Sequence, residues 1–352
     1  MTSLPENRKE PAYLRLCREL REAVLAGVYP PGSRLPSKRR LAAERGVSVI
    51  TAEHALALLA DEGYAELRER SGTYALARGE RAPARRASLE EMSLPLSVPE
   101  DFPFSALAKI MRRTLAEKGE QILAKSPPQG TAELRGAIRE YLARSRGVDV
   151  PETRIFIGSG AEHFYSLVVQ LLGRERVFAL EEPCYGKIRR VYELGGARCV
   201  GLPMGADGIE SAALARCEAD VLHVTPTRSY PSGVTAGAAK RREYADWARS
   251  RGALLIEDDY ASELAAPHRR PELLLSLLPE RVIYLNTFSK TIAPSFRAGY
   301  MLLPEELAAV YRERLGFYSC TVPVYEQYVL AEWIRSGEFE RTVNRRRRKE
   351  NA

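Results

Sequence analysis

Apolar positions recur at helical spacing through residues 11–26, where Tyr13, Leu16, Cys17, Leu20 and Val24 fall on one face. Gly27 then stands where a helix closes in left-handed backbone. After the turn Tyr29-Pro30-Pro31-Gly32, Ser37 is placed to N-cap a short helix running to Gly46. Ser48 is placed to cap a third helix through Asp61, ended by Gly63, with Ala52, Ala55, Leu56 and Leu59 turned toward the first two helices. Two short strands follow, about 64–69 and 73–77, joined across Ser71-Gly72 as a hairpin. Three helices and a hairpin predict a winged helix-turn-helix. In such a module the third helix enters the major groove while Arg side chains and helix N-termini hold phosphates. A small helical packing domain with a hairpin is the blander alternative.

From Ala77 to about Pro99 the periodicity fades into a stretch rich in Arg, Ala, Ser and Pro, the composition of an interdomain linker. Beyond it, short apolar runs alternate with amphipathic stretches. The runs are 154–157, 177–181, 198–202, 221–225, 253–257, 282–286 and 299–303, and the helices between them include 162–172 and 238–251. Alternating strands and helices predict an α/β layer on a mostly parallel sheet of about seven strands. No internal repeat is visible. The expected division is therefore 1–78 for the helix-turn-helix, 79–99 for the linker and 100–352 for the α/β body.

Composition narrows the class. The 352 residues carry 53 Lys+Arg against 46 Asp+Glu, with 45% hydrophobic and 28% charged residues, as in an ordinary water-soluble globular protein. The positive excess is uneven: residues 1–86 hold 16 Lys/Arg and 11 Asp/Glu, and 338–352 hold six and three. A basic front end on a near-neutral body fits an appended nucleic-acid module and a double-stranded DNA partner. No apolar run approaches the ~20 residues that cross a bilayer, and the polar start does not read as a signal peptide. Five scattered cysteines without a CxxC pair make a disulfide framework or zinc ribbon unexpected and point to the reducing cytoplasm.

Three constellations in the body carry chemistry. Gly158-Ser159-Gly160-Ala161-Glu162 lies between a strand and a helix, where backbone N–H groups and the helix dipole receive phosphate; a ligand-free tight turn is the alternative. A Rossmann dinucleotide site does not fit, because His163 stands at the third glycine position. Glu257-Asp258-Asp259-Tyr260 follows an apolar strand, at the strand ends where open α/β sheets place ligands. Its three carboxylates read as a magnesium site or as a solvated loop. Asn286-Thr287-Phe288-Ser289-Lys290 precedes Arg297, so an amine able to form a Schiff base stands near a phosphate-binding guanidinium.

The first eighty residues resemble the GntR family of bacterial regulators. The resemblance rests on Gly32-Ser33-Arg34-Leu35-Pro36-Ser37, Arg39, Leu41-Ala42, Gly46-Val47-Ser48, Thr51, Ala55, Glu62-Gly63-Tyr64 and Ser71-Gly72-Thr73-Tyr74. It implies that Arg34, Ser37 and Arg39 contact the DNA backbone, that Ser48 and Thr51 front the recognition helix, and that Gly72 marks the wing. This chain has Val49 where many members carry Arg, and a valine makes no bidentate guanine contact.

The body resembles the fold-type I aminotransferases, and joined to a GntR domain it is similar to the MocR subgroup of regulators. Gln129-Gly130 with Leu134-Arg135, SGAEH, EEPCYG, TPTRSYPSG, IEDDYASE and TFSKTIAPSFRAGY carry the likeness. It implies pyridoxal 5′-phosphate as cofactor. Lys290 then forms the internal aldimine, Asp258 pairs with the pyridine nitrogen and Tyr260 bonds the ring 3-hydroxyl. The amides near Ala161 and Glu162, Thr287, Ser289 and Arg297 hold the phosphate. Tyr185 stacks on the ring, with core packing as its alternative. The chain departs from the family in three places. No Tyr precedes Gln129-Gly130, Tyr230 stands where many aminotransferases have Asn, and Arg228 stands where the pattern has His. From Phe339 to Ala352 the sequence stops where the family continues through a C-terminal small domain with its carboxylate-binding arginine. That tail is expected to be a frayed helix with a solvated charge run, with a second DNA contact as its alternative. The resemblance implies a dimeric DNA-binding regulator that senses the cofactor or an amino acid or amine effector. The other readings are an active aminotransferase, and a remnant that folds poorly.

Overall fold

The structure, a computed structural model, describes residues 12–61, 64–68, 71–76, 102–265 and 272–350. The expected linker at 79–99, the Glu62-Gly63 end of the third helix, and the strand ends at Glu69 and Ala77 lie outside them. Contacts divide the chain into two compact units, Met1–Ser88 and Leu89–Ala352.

In the first unit α1 (Ala12–Leu25), α2 (Lys38–Arg45) and α3 (Val49–Asp61) precede a hairpin of β1 (Ala65–Arg68) and β2 (Gly72–Ala75). Both expected N-caps form. Ser37 Oγ accepts from the Arg40 amide at 3.3 Å, and Ser48 Oγ from the Thr51 amide at 3.0 Å. Gly46 closes α2 at φ 62°. Leu16, Cys17, Leu20, Leu41, Ala52, Ala55, Leu56 and Leu59 share one buried core with Leu35 and Ala65, so the predicted apolar face is the packed face. Among the described residues the hairpin pairs Ala65 with Ala75 through Arg68 with Gly72, and the other edge of β2 is also used. Residues 32–35 run along β2, with Leu35 donating to the Thr73 carbonyl at 2.8 Å and Ala75 to that of Ser33 at 2.8 Å.

The second unit begins with α4 (Phe104–Lys118), α5 (Ala132–Arg146), β3 (Ile155–Gly158), α6 (Ala161–Leu172), β4 (Val177–Glu182) and α7 (Gly186–Leu194). It continues through β5 (Arg198–Pro203), α8 (Ser211–Ala215), β6 (Val221–Val224), α9 (Ala238–Arg251), β7 (Leu254–Asp258) and α10 (Leu274–Leu277). β8 (Val282–Thr287), β9 (Gly299–Leu302), α11 (Glu305–Leu315), α12 (Val324–Arg335) and α13 (Glu338–Glu350) complete it. The seven strands lie in the order β3-β9-β8-β7-β6-β4-β5. β9 is antiparallel to β3 and β8, and the other four pairings are parallel.

Alternate residues of each strand feed two cores. Ile155, Leu222, Val224, Leu255 and Val282 pack with residues of α5, α9 and α12 on one face. Phe156, Phe178, Val221, Ile256 and Ile283 pack with residues of α6, α7 and α11 on the other. Helices on both faces leave the central strands no solvent side, which is why they read as continuous apolar runs.

The tail differs from its expectation. α13 is a docked helix: Phe339, Thr342 and Val343 are buried, and Phe339 meets Tyr141 and Phe288 edge-on at 5.0 and 5.7 Å. Two of its arginines face main-chain carbonyls, Arg346 that of Lys290 and Arg347 that of Glu263, the latter at 2.7 Å. Charge alone suggests a solvated run, but one apolar stripe under the arginines suffices to seat the helix.

Candidate functional site

In the helix-turn-helix unit the residues singled out for DNA lie on exposed ends. Arg34, Ser37, Arg39 and Ser48 are exposed, while Thr51 and Gly72 are half-buried. Ser48 and Thr51 join hydroxyl to hydroxyl at 2.8 Å, so both sit at the open first turn of α3, beside exposed Val49 and Ile50. The neighbouring cations are committed: Lys38 pairs with Glu53 at 2.5 Å and Arg40 with Glu44 at 2.7 Å. Arg34 and Arg39 form no ion pair among the described residues. Gly72 has a specific reason to be glycine. Its φ is +123°, and a Cβ there would stand 2.8 Å from Arg34 Nε, so the wing holds the guanidinium against bare backbone.

In the body, all nine residues named for the cofactor line one cavity of about 670 Å³, counting its open mouth. The sheet assembles them: Asp258 ends β7, Thr287 ends β8, and Ala161 and Glu162 open α6 after β3. Ser289, Lys290 and Arg297 come from the β8–β9 connection, Tyr185 from the turn before α7 and Tyr260 from the turn after β7. The ends of parallel strands are where such sheets leave a crevice. At one end Arg297 reaches Ser289 Oγ at 3.5 Å and Glu162 at 3.9 Å. Gly160, at φ +99°, leads into α6, and a Cβ on it would stand 3.1 Å from Arg297. Glycine therefore lets the guanidinium approach the open amides of the helix start, an arrangement suited to an anion. Glu162 is balanced by Lys187 at 2.7 Å. Tyr185 meets Tyr230 edge-on at 6.0 Å and lines the cavity, rather than being sealed in the core.

Asp258 supplies the other end. Its carboxylate is buried; Oδ2 accepts the Tyr165 hydroxyl, and Oδ1 has no hydrogen-bond partner among the described residues. Burial, reinforced by the Asp258 charge, pushes the Tyr165 hydroxyl well above the usual phenol range, so it remains a donor. Tyr260, whose hydroxyl donates to the Arg228 carbonyl at 3.0 Å, is pushed up to about 12 by burial and then by Asp258. Glu181, beneath the cavity wall, is pushed up to about 7 by burial, although Ser229 Oγ and the Thr225 amide donate to it at 2.6 and 3.1 Å.

The acidic triplet corrects its two sequence readings. Glu257, Asp258 and Asp259 form neither a magnesium site nor a solvated loop: all three are buried, and each has its own surroundings. Alternation along the strand sorts them. Glu257 meets Arg241 of α9 at 3.0 Å and Asp259 meets Arg146 of α5 at 2.9 Å, while Asp258 turns to the opposite face and the cavity. Among the described residues no group of three or more His, Cys, Asp or Glu side chains is arranged to hold a metal.

Sequence reasoning omitted Tyr165, Ile188, Thr225 and Tyr230 from the lining, and His223 behind it. Two of these were findable by spacing. Tyr165 lies four residues after Ala161 on the same helix face, and His223 is the one polar residue of its strand, two before Thr225 and on the same sheet face.

Residues 12–75 match the family of bacterial regulatory proteins named gntR, and residues 92–352 match aminotransferase class I and II. The HTH-type transcriptional regulator YdeL of Bacillus subtilis is 31% identical over 96% of this chain and 76% of its own length. The pyridoxine biosynthesis transcriptional regulator PdxR of Corynebacterium glutamicum is 31% identical over 97% of this chain and 77% of its own. The regulatory protein MocR of Rhizobium meliloti is 28% identical over 99% and 76%. Among solved structures, kynurenine aminotransferase of Pyrococcus horikoshii superposes with a TM-score of 0.67 at 23% identity, covering 73% of this chain and 66% of that one. The α-aminoadipate aminotransferase LysN of Thermus thermophilus does so with 0.64 at 29%, covering 73% and 67%. The chain thus spans about three quarters of these curated relatives and about two thirds of these solved structures. Helix-turn-helix unit, aminotransferase-type sheet and relatives agree: the chain belongs to the GntR-type transcriptional regulators that carry an aminotransferase class I and II domain, the MocR subgroup.

Proposed function

We propose that this chain is a regulator that binds double-stranded DNA as a homodimer through its helix-turn-helix unit and binds pyridoxal 5′-phosphate in the body cavity. Through Lys290 it senses the cofactor, an amino acid or an amine. The observation that carries this reading is the meeting of an amine, an anion-receiving helix start with Arg297, and a buried carboxylate oxygen lacking a partner in one cavity. The residues fit the cofactor at both ends. Arg297, Thr287, Ser289 and the amides of Ala161 and Glu162 hold its phosphate; Asp258 holds a proton on its ring nitrogen. Tyr260 would bond the ring hydroxyl and Tyr185 would stack on the ring. When bound, the cofactor supplies an aldehyde that takes up primary amines and a ring that draws electrons. Lys290 would supply one such amine, from the cavity it lines. LysN, solved with N-(5′-phosphopyridoxyl)-L-leucine, and PdxR, named for pyridoxine biosynthesis, support this choice of ligand.

Arg34, Ser37 and Arg39 hold the DNA backbone, and the first turn of α3 with Ser48 and Thr51 faces the groove, with Gly72 at the wing. An amino compound shifts DNA affinity by its differential affinity for two arrangements of the protein, and by no more than that. The test is an absorbance titration with pyridoxal 5′-phosphate beside DNA binding by the same protein. A shifted cofactor band lost in Lys290→Ala, with DNA affinity that changes on cofactor or amine addition, is the expected result. A Lys290→Ala spectrum equal to that of the unsubstituted chain overturns the reading.

A further inference from the structure

We infer that Tyr165 and His223 are positioning residues for Asp258: together they engage its Oδ2 and leave Oδ1 as the acceptor that a ring N–H in the cavity meets. The inference rests on the cofactor reading above and extends it to residues behind the cavity wall.

Tyr165 lies on α6, one turn from the Ala161 amide, and is buried; among the described residues the only hydrogen-bond partner of its hydroxyl is Asp258 Oδ2. His223 lies on β6 beside β7, in register with Ile256, and so shares a sheet face with Asp258. Its Nε2 stands 3.6 Å from the same Oδ2, and its Nδ1 is 2.7 Å from the hydroxyl of Tyr192 on α7. These contacts assign the proton positions. Among the described residues Tyr192 has no other hydrogen-bond partner, and its hydroxyl can donate to Nδ1 while the other ring nitrogen faces an acceptor-only carboxylate. A neutral imidazole then carries its proton on Nε2, the nitrogen that faces Asp258. Tyr165, Tyr192 and His223 meet edge-on at 5.4 to 5.9 Å, which fixes all three rings.

Plain core packing does not account for this group. Phe in place of Tyr165 and Leu in place of His223 would fill the same apolar face without burying polar atoms. What the polar atoms add is one hydrogen-bond donor on Oδ2, from Tyr165, and an imidazole nitrogen 3.6 Å from the same oxygen. That oxygen would otherwise compete with Oδ1 for an incoming proton, so the frame fixes which oxygen does the work. Other titratable groups near Asp258 are Glu181 on β4 and Tyr260 after β7, and both remain in place in the variants below.

The experiment compares Tyr165→Phe, His223→Leu and the unsubstituted chain by titration with pyridoxal 5′-phosphate, reading affinity and the pH midpoint of the Lys290-dependent absorbance band. A carboxylate that has lost a donor draws the ring proton toward itself. The ring is then less positive, and the imine nitrogen keeps its proton to higher pH. Tyr165→Phe is expected to raise the midpoint by about half to one unit and to weaken affinity about three- to tenfold. His223→Leu, which removes the longer contact, is expected to move both in the same direction by less. Tyr192→Phe, which reaches Asp258 only through His223, carries the same expectation if Tyr165→Phe fails to fold. Midpoints and affinities equal to those of the unsubstituted chain, in variants that melt normally, overturn the inference while the cofactor reading stands. Absence of the band from the unsubstituted chain overturns both.

Discussion

The two surfaces offered to ligands differ in how their polar groups are kept. In the helix-turn-helix unit Arg34, Ser37, Arg39 and Ser48 stand exposed, while Lys38 and Arg40 beside them are paired with Glu53 and Glu44. In the body, Glu181, Glu257, Asp258 and Asp259 are buried, and each is held by named donors or a guanidinium. Exposed cations act through counterion release and answer to salt. Among the buried carboxylates Glu181 and Glu257 are pushed up to about 7 mainly by burial, and answer to pH. The contrast teaches that one chain keeps the groups proposed for DNA where they cost little to hold, and lines its cavity with groups that destabilise the fold unless their partners are present.

The largest effect that tests this contrast is on stability. Arg241→Met leaves Glu257 buried without its guanidinium and is expected to cost the body about 3–5 kcal/mol, read as a fall in its urea midpoint. Arg241→Met with Glu257→Met is expected to recover most of the loss. Failure to recover would show that the pair matters by shape and not by charge.

A middle-sized effect is the pH dependence. Glu181 and Glu263 are each pushed up to about 7, mainly by burial, so the folded body holds protons that the unfolded chain releases. Their contribution is fully present below the ordinary glutamate value and is lost as pH rises toward 7. The body is expected to melt lower at pH 8 than at pH 5.5, and Glu181→Gln to flatten that slope. A slope of opposite sign would remove the buried-acid account. The smallest effect is at the exposed surface: Arg39→Ala is expected to weaken DNA binding evenly across sequences and to lower the salt-dependence slope by about 0.9, measured as affinity against salt. An unchanged slope would mean that Arg39 does not reach a phosphate.

Much of the molecule was legible as pattern. The helical spacing of Leu16, Leu20, Ala52 and Leu59 gave the packed face of the first unit, and all seven apolar runs became strands within one or two residues of their expected ends. The cavity residues could be named through the resemblance to the aminotransferases, and their motifs follow strands whose ends converge. Tyr165 and His223 were not named, because a tyrosine on an apolar helix face and a histidine in a strand look like core packing until their partners are known. The tail was misread because charge was weighed above the spacing of Phe339 and Val343.

The sequence by itself determined the two-unit organisation, the elements and the set of residues competent for anion, amine and carboxylate chemistry, since each follows from local spacing and side-chain type. Only the tertiary structure decided which carboxylate of Glu257, Asp258 and Asp259 faces the cavity and which partners hold the others. Those outcomes depend on α5, α6 and α9 arriving from distant parts of the chain. The side to which each carboxylate turns is written in the strand's alternation; what waits on that side is settled by packing.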